Sequence, residues 1–151
     1  MKRTFGSVVC TGQGALRHVG ETVFFYGTLM AGFDRRGRAG IDTRMHFVGR
    51  GWIEGALFDL GLFPAAIPSP GGRIQGEIYT VDDDPSVLAK LDEIEGFRPS
   101  DPDTSLYTRV RIAATLESGA SEQAWVYFYN APLGRAERIP SGDYLEHLRI
   151  K

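Results

Sequence analysis

The sequence predicts an α+β domain built on a small, strongly curled sheet or barrel. Three observations predict it. Five or more strand-like segments are spread along the chain, one helix carries both start and stop signals, and glycines interrupt the strand patterns. Glycine inside an alternating run marks bulges and tight coiling, the devices that curl a sheet.

Taken in order, residues 1–21 have weak periodicity and four glycines, and read as a loose arm or an added edge strand ahead of a domain spanning 22–151. From Thr22 the chain turns strand-like: Val23-Phe24-Phe25-Tyr26 is β-branched and aromatic and stops at Gly27. Residues 31–43 are rich in Gly and Arg and read as a long loop. His46 to Leu60 alternates, with glycines at 49, 51 and 55. Gly61 to Gly72 holds Pro64, Pro68 and Pro70, which excludes a central strand. Ile74 to Val81 alternates again, and Leu106 to Leu116 and Gln123 to Tyr129 are further strands. The chain has no internal repeat.

The spacing predicts a helix over 84–94. Asp84 suits the N-cap, and Pro85 sits at the first helical position, where its missing N–H costs nothing. Val87, Leu88, Leu91 and Ile94 follow at helical spacing, and Gly96 suits the C-terminal cap. A second short helix is expected from Ser141, carrying Tyr144, Leu145 and Leu148.

The 151 residues suit one domain, and 42% apolar content supports a packed core. A net charge of -2 excludes whole-chain attraction to nucleic acid or anionic lipid. Arg35, Arg36 and Arg38 read as a solvated loop. Cys10 is the only cysteine, so no internal disulfide or cysteine-based zinc site can form, and it reads as a small apolar filler. Met1-Lys2-Arg3 is not followed by an apolar signal-peptide region, and no run approaches a membrane span, so a soluble cytoplasmic protein is expected.

Three features carry chemistry. Leu88, Leu91 and Glu95 stand at i, i+3 and i+7 on one face of the predicted helix, which sets a carboxylate at the end of an apolar stripe. Burial and the negative end of the helix dipole would both raise its pKa toward the range of a general acid/base. By pattern alone, a helix-end Glu reaching solvent is the favoured reading; Asp92 and Glu93 lie off that face and read as solvated. Second, the Phe25-Tyr26 strand ends abruptly in Gly27-Thr28-Leu29, either an ordinary strand exit or a turn whose N–H groups form an anion-binding concavity. Third, Trp125, Tyr127 and Tyr129 share one strand face, which either lines a pocket or packs with its hydroxyls reaching water. Tyr107, Arg109 and Arg111 form a similar row for which the surface is favoured. Gly12-Gln13-Gly14 lacks the rest of a dinucleotide fingerprint, and His18, His46 and His147 have no metal-ligand spacing.

Together these pieces resemble the gamma-glutamylcyclotransferase-like family, which includes the AIG2-like (avirulence-induced-gene) and butirosin-cyclotransferase relatives. Val23 to Leu29 resembles its signature strand and loop. Gly55-Ala56-Leu57-Phe58-Asp59-Leu60-Gly61 with Phe63-Pro64-Ala65, and then Ile74 to Tyr79, are similar to the next blocks. Leu91-Asp92-Glu93-Ile94-Glu95-Gly96 matches the Leu-Asp-x-x-Glu-Gly motif, whose Glu is the family's acid/base, and Tyr107-Thr108-Arg109 and Ala124 to Tyr129 match the last blocks. The ordered set runs from about Thr22 to Tyr129 and reverses the pattern-only reading of Glu95; Thr28 stands where many relatives have Ser.

The resemblance implies a mixed barrel of about six strands with one or two flanking helices. It implies that a gamma-glutamyl α-amine attacks its own γ-carbonyl, releasing 5-oxoproline and a free amine, with Glu95 as catalytic acid/base and no metal or cofactor. Tyr26, Gly27, Thr28, Leu29, Tyr107 and Tyr127 are the expected substrate-binding residues. The expected partner is a small gamma-glutamyl compound, with no nucleic acid or membrane, on a monomer or homodimer. The alternative is a non-catalytic small-molecule-binding module on the same fold.

Overall fold

The computed structural model describes residues 20–30 and 40–150. Residues 1–19 of the expected arm, with Cys10, His18 and Gly12-Gln13-Gly14, and the Arg35, Arg36 and Arg38 cluster lie outside the described residues.

Eight strands and two α-helices are described: β1 (Thr22–Phe25), β2 (Met45–Glu54), β3 (Ala56–Asp59), β4 (Pro64–Ile67), β5 (Arg73–Val81), α1 (Pro85–Glu95), β6 (Tyr107–Leu116), β7 (Ser121–Tyr129), β8 (Glu137–Arg138) and α2 (Tyr144–Ile150). Five of the strands close a barrel in the order β1-β5-β2-β6-β7, and β4-β3-β8 form a second, small sheet. The barrel is mixed because β1 runs antiparallel to β5, from Thr22 opposite Thr80 to Phe25 opposite Glu77, yet meets β7 in parallel where Val23 faces Trp125.

The expected run from His46 to Leu60 is two strands in two sheets. The chain leaves the barrel at Glu54, passes through Gly55 and enters the small sheet at Ala56. A register shift between Phe47 and Gly49 opposite β5 supplies the expected bulge. Gly76 supplies a close approach: a Cβ there would lie 2.3 Å from the Phe25 carbonyl oxygen and 2.6 Å from the Phe24 ring. The proline-rich stretch contributes only β4, an edge strand of the small sheet, where proline's missing N–H is tolerated.

Phe24, Ile53, Ile74, Ile78 and Val126 fill the core from the barrel strands, and Val87 and Leu91 join it from α1. The α1 caps form as the sequence predicts. The Asp84 carboxylate accepts from the Ser86 N–H at 2.9 Å, and Gly96 adopts the left-handed conformation at φ 69°. Asp92, expected in solvent, is instead buried, as are Val87 and Leu91. The C-terminal helix starts at Tyr144 rather than Ser141, and His147 on it approaches Asp59 of β3 at 2.8 Å, which ties α2 to the small sheet. Among the described residues no helix is long and apolar enough to cross a membrane.

The Asp84 cap gives a pH-dependent expectation. Its carboxyl is lowered from 3.8 to about 2, first by the Ser86 backbone N–H and then by Arg44. A carboxyl depressed by folding stabilises above its unfolded pKa and loses that contribution as pH falls through its folded pKa. Asp84→Ala is therefore expected to lower the thermal midpoint at neutral pH. The gap to the parent should close between about pH 4, the unfolded pKa, and about 2. Melting curves of both proteins across that range check it; a gap that persists at the acid end would assign the effect to the uncharged cap hydrogen bond and not to the carboxylate.

Candidate active site

The site begins where β1 stops. Tyr26 is buried, and the chain then turns through Gly27, Thr28 and Leu29, closed by the Met30 N–H donating to the Gly27 carbonyl at 3.0 Å. Gly27 is required by contact: a Cβ there would lie 2.6 Å from Pro64 Cγ. Against this turn stands the end of α1. Glu95 is the last helical residue, one before the Gly96 cap, and is half-buried.

Between them lies a cavity of about 160 Å³. Tyr26, Gly27, Thr28, Leu29, Glu95, Tyr107 and Tyr127 all line it, so the structure brings every sequence-predicted site residue to one place. Phe63, Pro64, Leu106 and Glu93 also line it, and the sequence singles out none of these four as a pocket residue. The volume resembles that of an engineered cavity of about 150 Å³ that takes up benzene. It falls short of the ~300–1,000 Å³ that encloses a drug-sized ligand. A small ring-sized group fits inside, and anything larger must project out past the exposed Leu106 and Phe63.

The tyrosines are tied down. The Tyr26 hydroxyl donates to the Tyr127 carbonyl at 2.5 Å, and the Tyr107 hydroxyl donates to the Pro64 carbonyl at 3.0 Å. The Tyr127 hydroxyl donates to Asp92 Oδ1 at 2.7 Å. Burial, then the Glu95 charge and then Tyr107 raise the Tyr26 pKa well above its ordinary value. Burial first and the Asp92 hydrogen bond second raise that of Tyr127, with Glu95 adding to it. Both phenols feel the Glu95 carboxylate, which sets its charge beside them.

The row Tyr107, Arg109 and Arg111, expected at the surface, is corrected by strand pairing. Tyr107 lies opposite Tyr129, Arg109 opposite Tyr127 and Arg111 opposite Trp125, so the two rows share one face. Tyr107 is buried, while the Arg111 side chain stays 39% exposed. Arg109 pairs with Asp92: its Nη2 donates to Oδ2 at 3.2 Å, while Nε lies 2.8 Å from Oδ1 but off the hydrogen-bond axis, a charge contact without a directed bond. The guanidinium also stacks over Trp125 at 4.5 Å. Sequence reasoning missed this pair. The available signal was Asp92 three residues before Glu95, with Arg109 two residues after Tyr107, so both share a face with a site residue.

A second donor cluster lies elsewhere. Asp59, Glu137 and His147 have ligand atoms within 4.8 Å of one another, so His147 is isolated in sequence and not in space. Asp59 Oδ1 accepts from the Gly61 N–H and Oδ2 faces His147, so these two groups are engaged with the fold; none of the three lines the cavity.

Comparison with known proteins gives a consistent picture. The family model described as gamma-glutamyl cyclotransferase, AIG2-like, matches residues 23–146. A relative in Methanocaldococcus jannaschii is 31% identical over 129 residues, covering 84% of this chain and 98% of the relative. The gamma-glutamylcyclotransferase family protein YtfP of Escherichia coli is 30% identical over 125 residues, covering 82% of this chain and 96% of that protein. A crystal structure of an AIG2-like protein from Mus musculus superposes with a TM-score of 0.59 at 28% identity, over 76% of this chain and 82% of that one.

Proposed function

The chain belongs to the gamma-glutamyl cyclotransferase, AIG2-like family, and from that premise we propose that it is a gamma-glutamyl cyclotransferase. It releases 5-oxoproline and a free amine from a gamma-glutamyl amide. The observation that carries the reading is the half-buried carboxylate of Glu95 on the same small cavity as the 27–29 turn and the tied tyrosines.

Ring closure is intramolecular, so the main task is to hold the folded-back conformer, and a ring-sized cavity suits that task. The α-nitrogen forms a bond to the γ-carbon, and the bond from that carbon to the leaving nitrogen breaks. Glu95 takes one proton from the α-ammonium to free the attacking amine and, as the ring closes, a second from the same nitrogen; the leaving nitrogen receives both in turn and departs as an ammonium, so the enzyme ends in its starting state. The N–H groups of Gly27, Thr28 and Leu29 hold the substrate carboxylate or the developing oxyanion, as turns of this kind do. The leaving amine projects through the mouth beside Leu106 and Phe63.

The test is a panel of gamma-glutamyl amides incubated with the protein, with both products quantified. At least one is expected to give 5-oxoproline and amine in a one-to-one ratio. Glutamate in place of 5-oxoproline would make the protein a hydrolase. Binding of the panel without any product would make it a binding module on the same fold.

A further inference from the structure

We propose that Asp92 is a positioning residue that fixes the direction of the Tyr127 hydroxyl proton, so that the cavity meets a ligand's ammonium group with tyrosine oxygens that can only accept. The ligand's identity rests on the function proposed above; the hydrogen-bond geometry does not.

A tyrosine hydroxyl has one proton to give and lone pairs to receive. The Asp92 carboxylate, paired with the Arg109 guanidinium, is an acceptor, so the proton in the 2.7 Å contact belongs to Tyr127. A carbonyl also cannot donate, so the proton in the Tyr107–Pro64 contact belongs to Tyr107. Tyr26 is spent inside the protein: it donates to the Tyr127 carbonyl and also bonds the Ala66 backbone N–H. Burial and the Asp92 hydrogen bond raise the Tyr127 pKa, which keeps its proton in place.

Toward a ligand, then, Tyr107 and Tyr127 have no proton left to offer. With Glu95, which lines the same cavity, they make a set of acceptors. A primary ammonium, with three donors and no acceptor, complements it. A carboxylate or an oxyanion gains nothing there and must bind the backbone N–H groups at the turn. One buried ion pair thereby orients the ligand end for end.

Asp92→Asn makes the idea testable. The Arg109 donors claim the amide oxygen, so the amide NH₂ faces Tyr127 as a donor, and the phenol proton must turn away from residue 92. The probes are gamma-glutamyl methylamide and glutaric acid monomethylamide, which differ only in the α-amine. Both are titrated calorimetrically in a Glu95→Gln background, with Tyr127→Phe as the second variant. The background is expected to bind the amine-bearing probe at least roughly tenfold more tightly, as a charge-assisted hydrogen bond warrants. Each variant should erase most of that ratio while binding the deamino probe about as before.

Equal weakening of both probes, an unchanged ratio, or no preference in the background overturns the proposal. If Asp92→Asn does not fold, the double variant Asp92→Leu with Arg109→Met takes its place, and a parent-like ratio there overturns the proposal. Loss of the cyclotransferase reading would show separately, as absence of 5-oxoproline from the parent protein, because the ratio is read from binding.

Discussion

Glu95→Gln is expected to lower turnover of a gamma-glutamyl amide by roughly two to four powers of ten, the usual worth of a general acid/base. The loss should fall on kcat, with KM near that of the parent, because the amide keeps the size and shape of the acid and only the proton shuttle is gone. The thermal midpoint should hardly move, since Glu95 is half-buried at a helix end and is not part of the packed stripe. Glu93→Gln is the control. Its side chain is 74% exposed and pairs with Lys90 at 3.3 Å at the mouth of the same cavity, and exposed pairs of this kind contribute little. Its turnover should stay within about fivefold of the parent, the reach of about 1 kcal/mol or less. Equal loss in both variants, or near-parent turnover in Glu95→Gln, would reduce Glu95 to a helix-end carboxylate.

The largest effect on stability is expected from Arg109→Met. The Asp92 and Arg109 side chains are only 8% and 16% exposed, so removing the guanidinium strands a carboxylate inside the protein. Breaking a buried pair from one side costs about 3–5 kcal/mol. Loss of the Trp125 stack adds to this, although the methionine keeps much of the volume. Replacing both partners with Asp92→Leu and Arg109→Met should recover a large part of the loss, because no charge is then left without its counterion. The double variant would still lack the Tyr127 partner, so its ligand preference should not return with its stability. Denaturant titration of the single and double variants checks this. A single-variant cost below about 1 kcal/mol would mean that water reaches Asp92 and that the pair behaves like a surface one.

Much of the local structure is legible in the sequence by itself. Asp84, Pro85 and Gly96 determine the ends of α1 because caps satisfy backbone groups within a few residues. Strand segments are legible because β-branched and aromatic alternation is local, and Pro64 confines its segment to an edge for the same kind of reason. The site's pieces are also readable, but only as an ordered set of blocks: Glu95 and the Gly27-Thr28-Leu29 turn each favour an ordinary reading when taken alone.

What only the tertiary structure decided is which faces meet. Asp92 and Glu93 are neighbours on one helix turn, yet one is buried and the other exposed, because Arg109 and Tyr127 stand opposite the first. The Tyr107 row turns inward because its register with β7 puts it on the face of Tyr127. A helix or strand pattern states which residues share a face. Burial and charge are set by what packs against that face: Asp92 meets Arg109 and Tyr127 from the β6–β7 pair, and barrel closure, through β1 pairing with both β5 and β7, brings Tyr26 to the Tyr127 carbonyl 101 residues away.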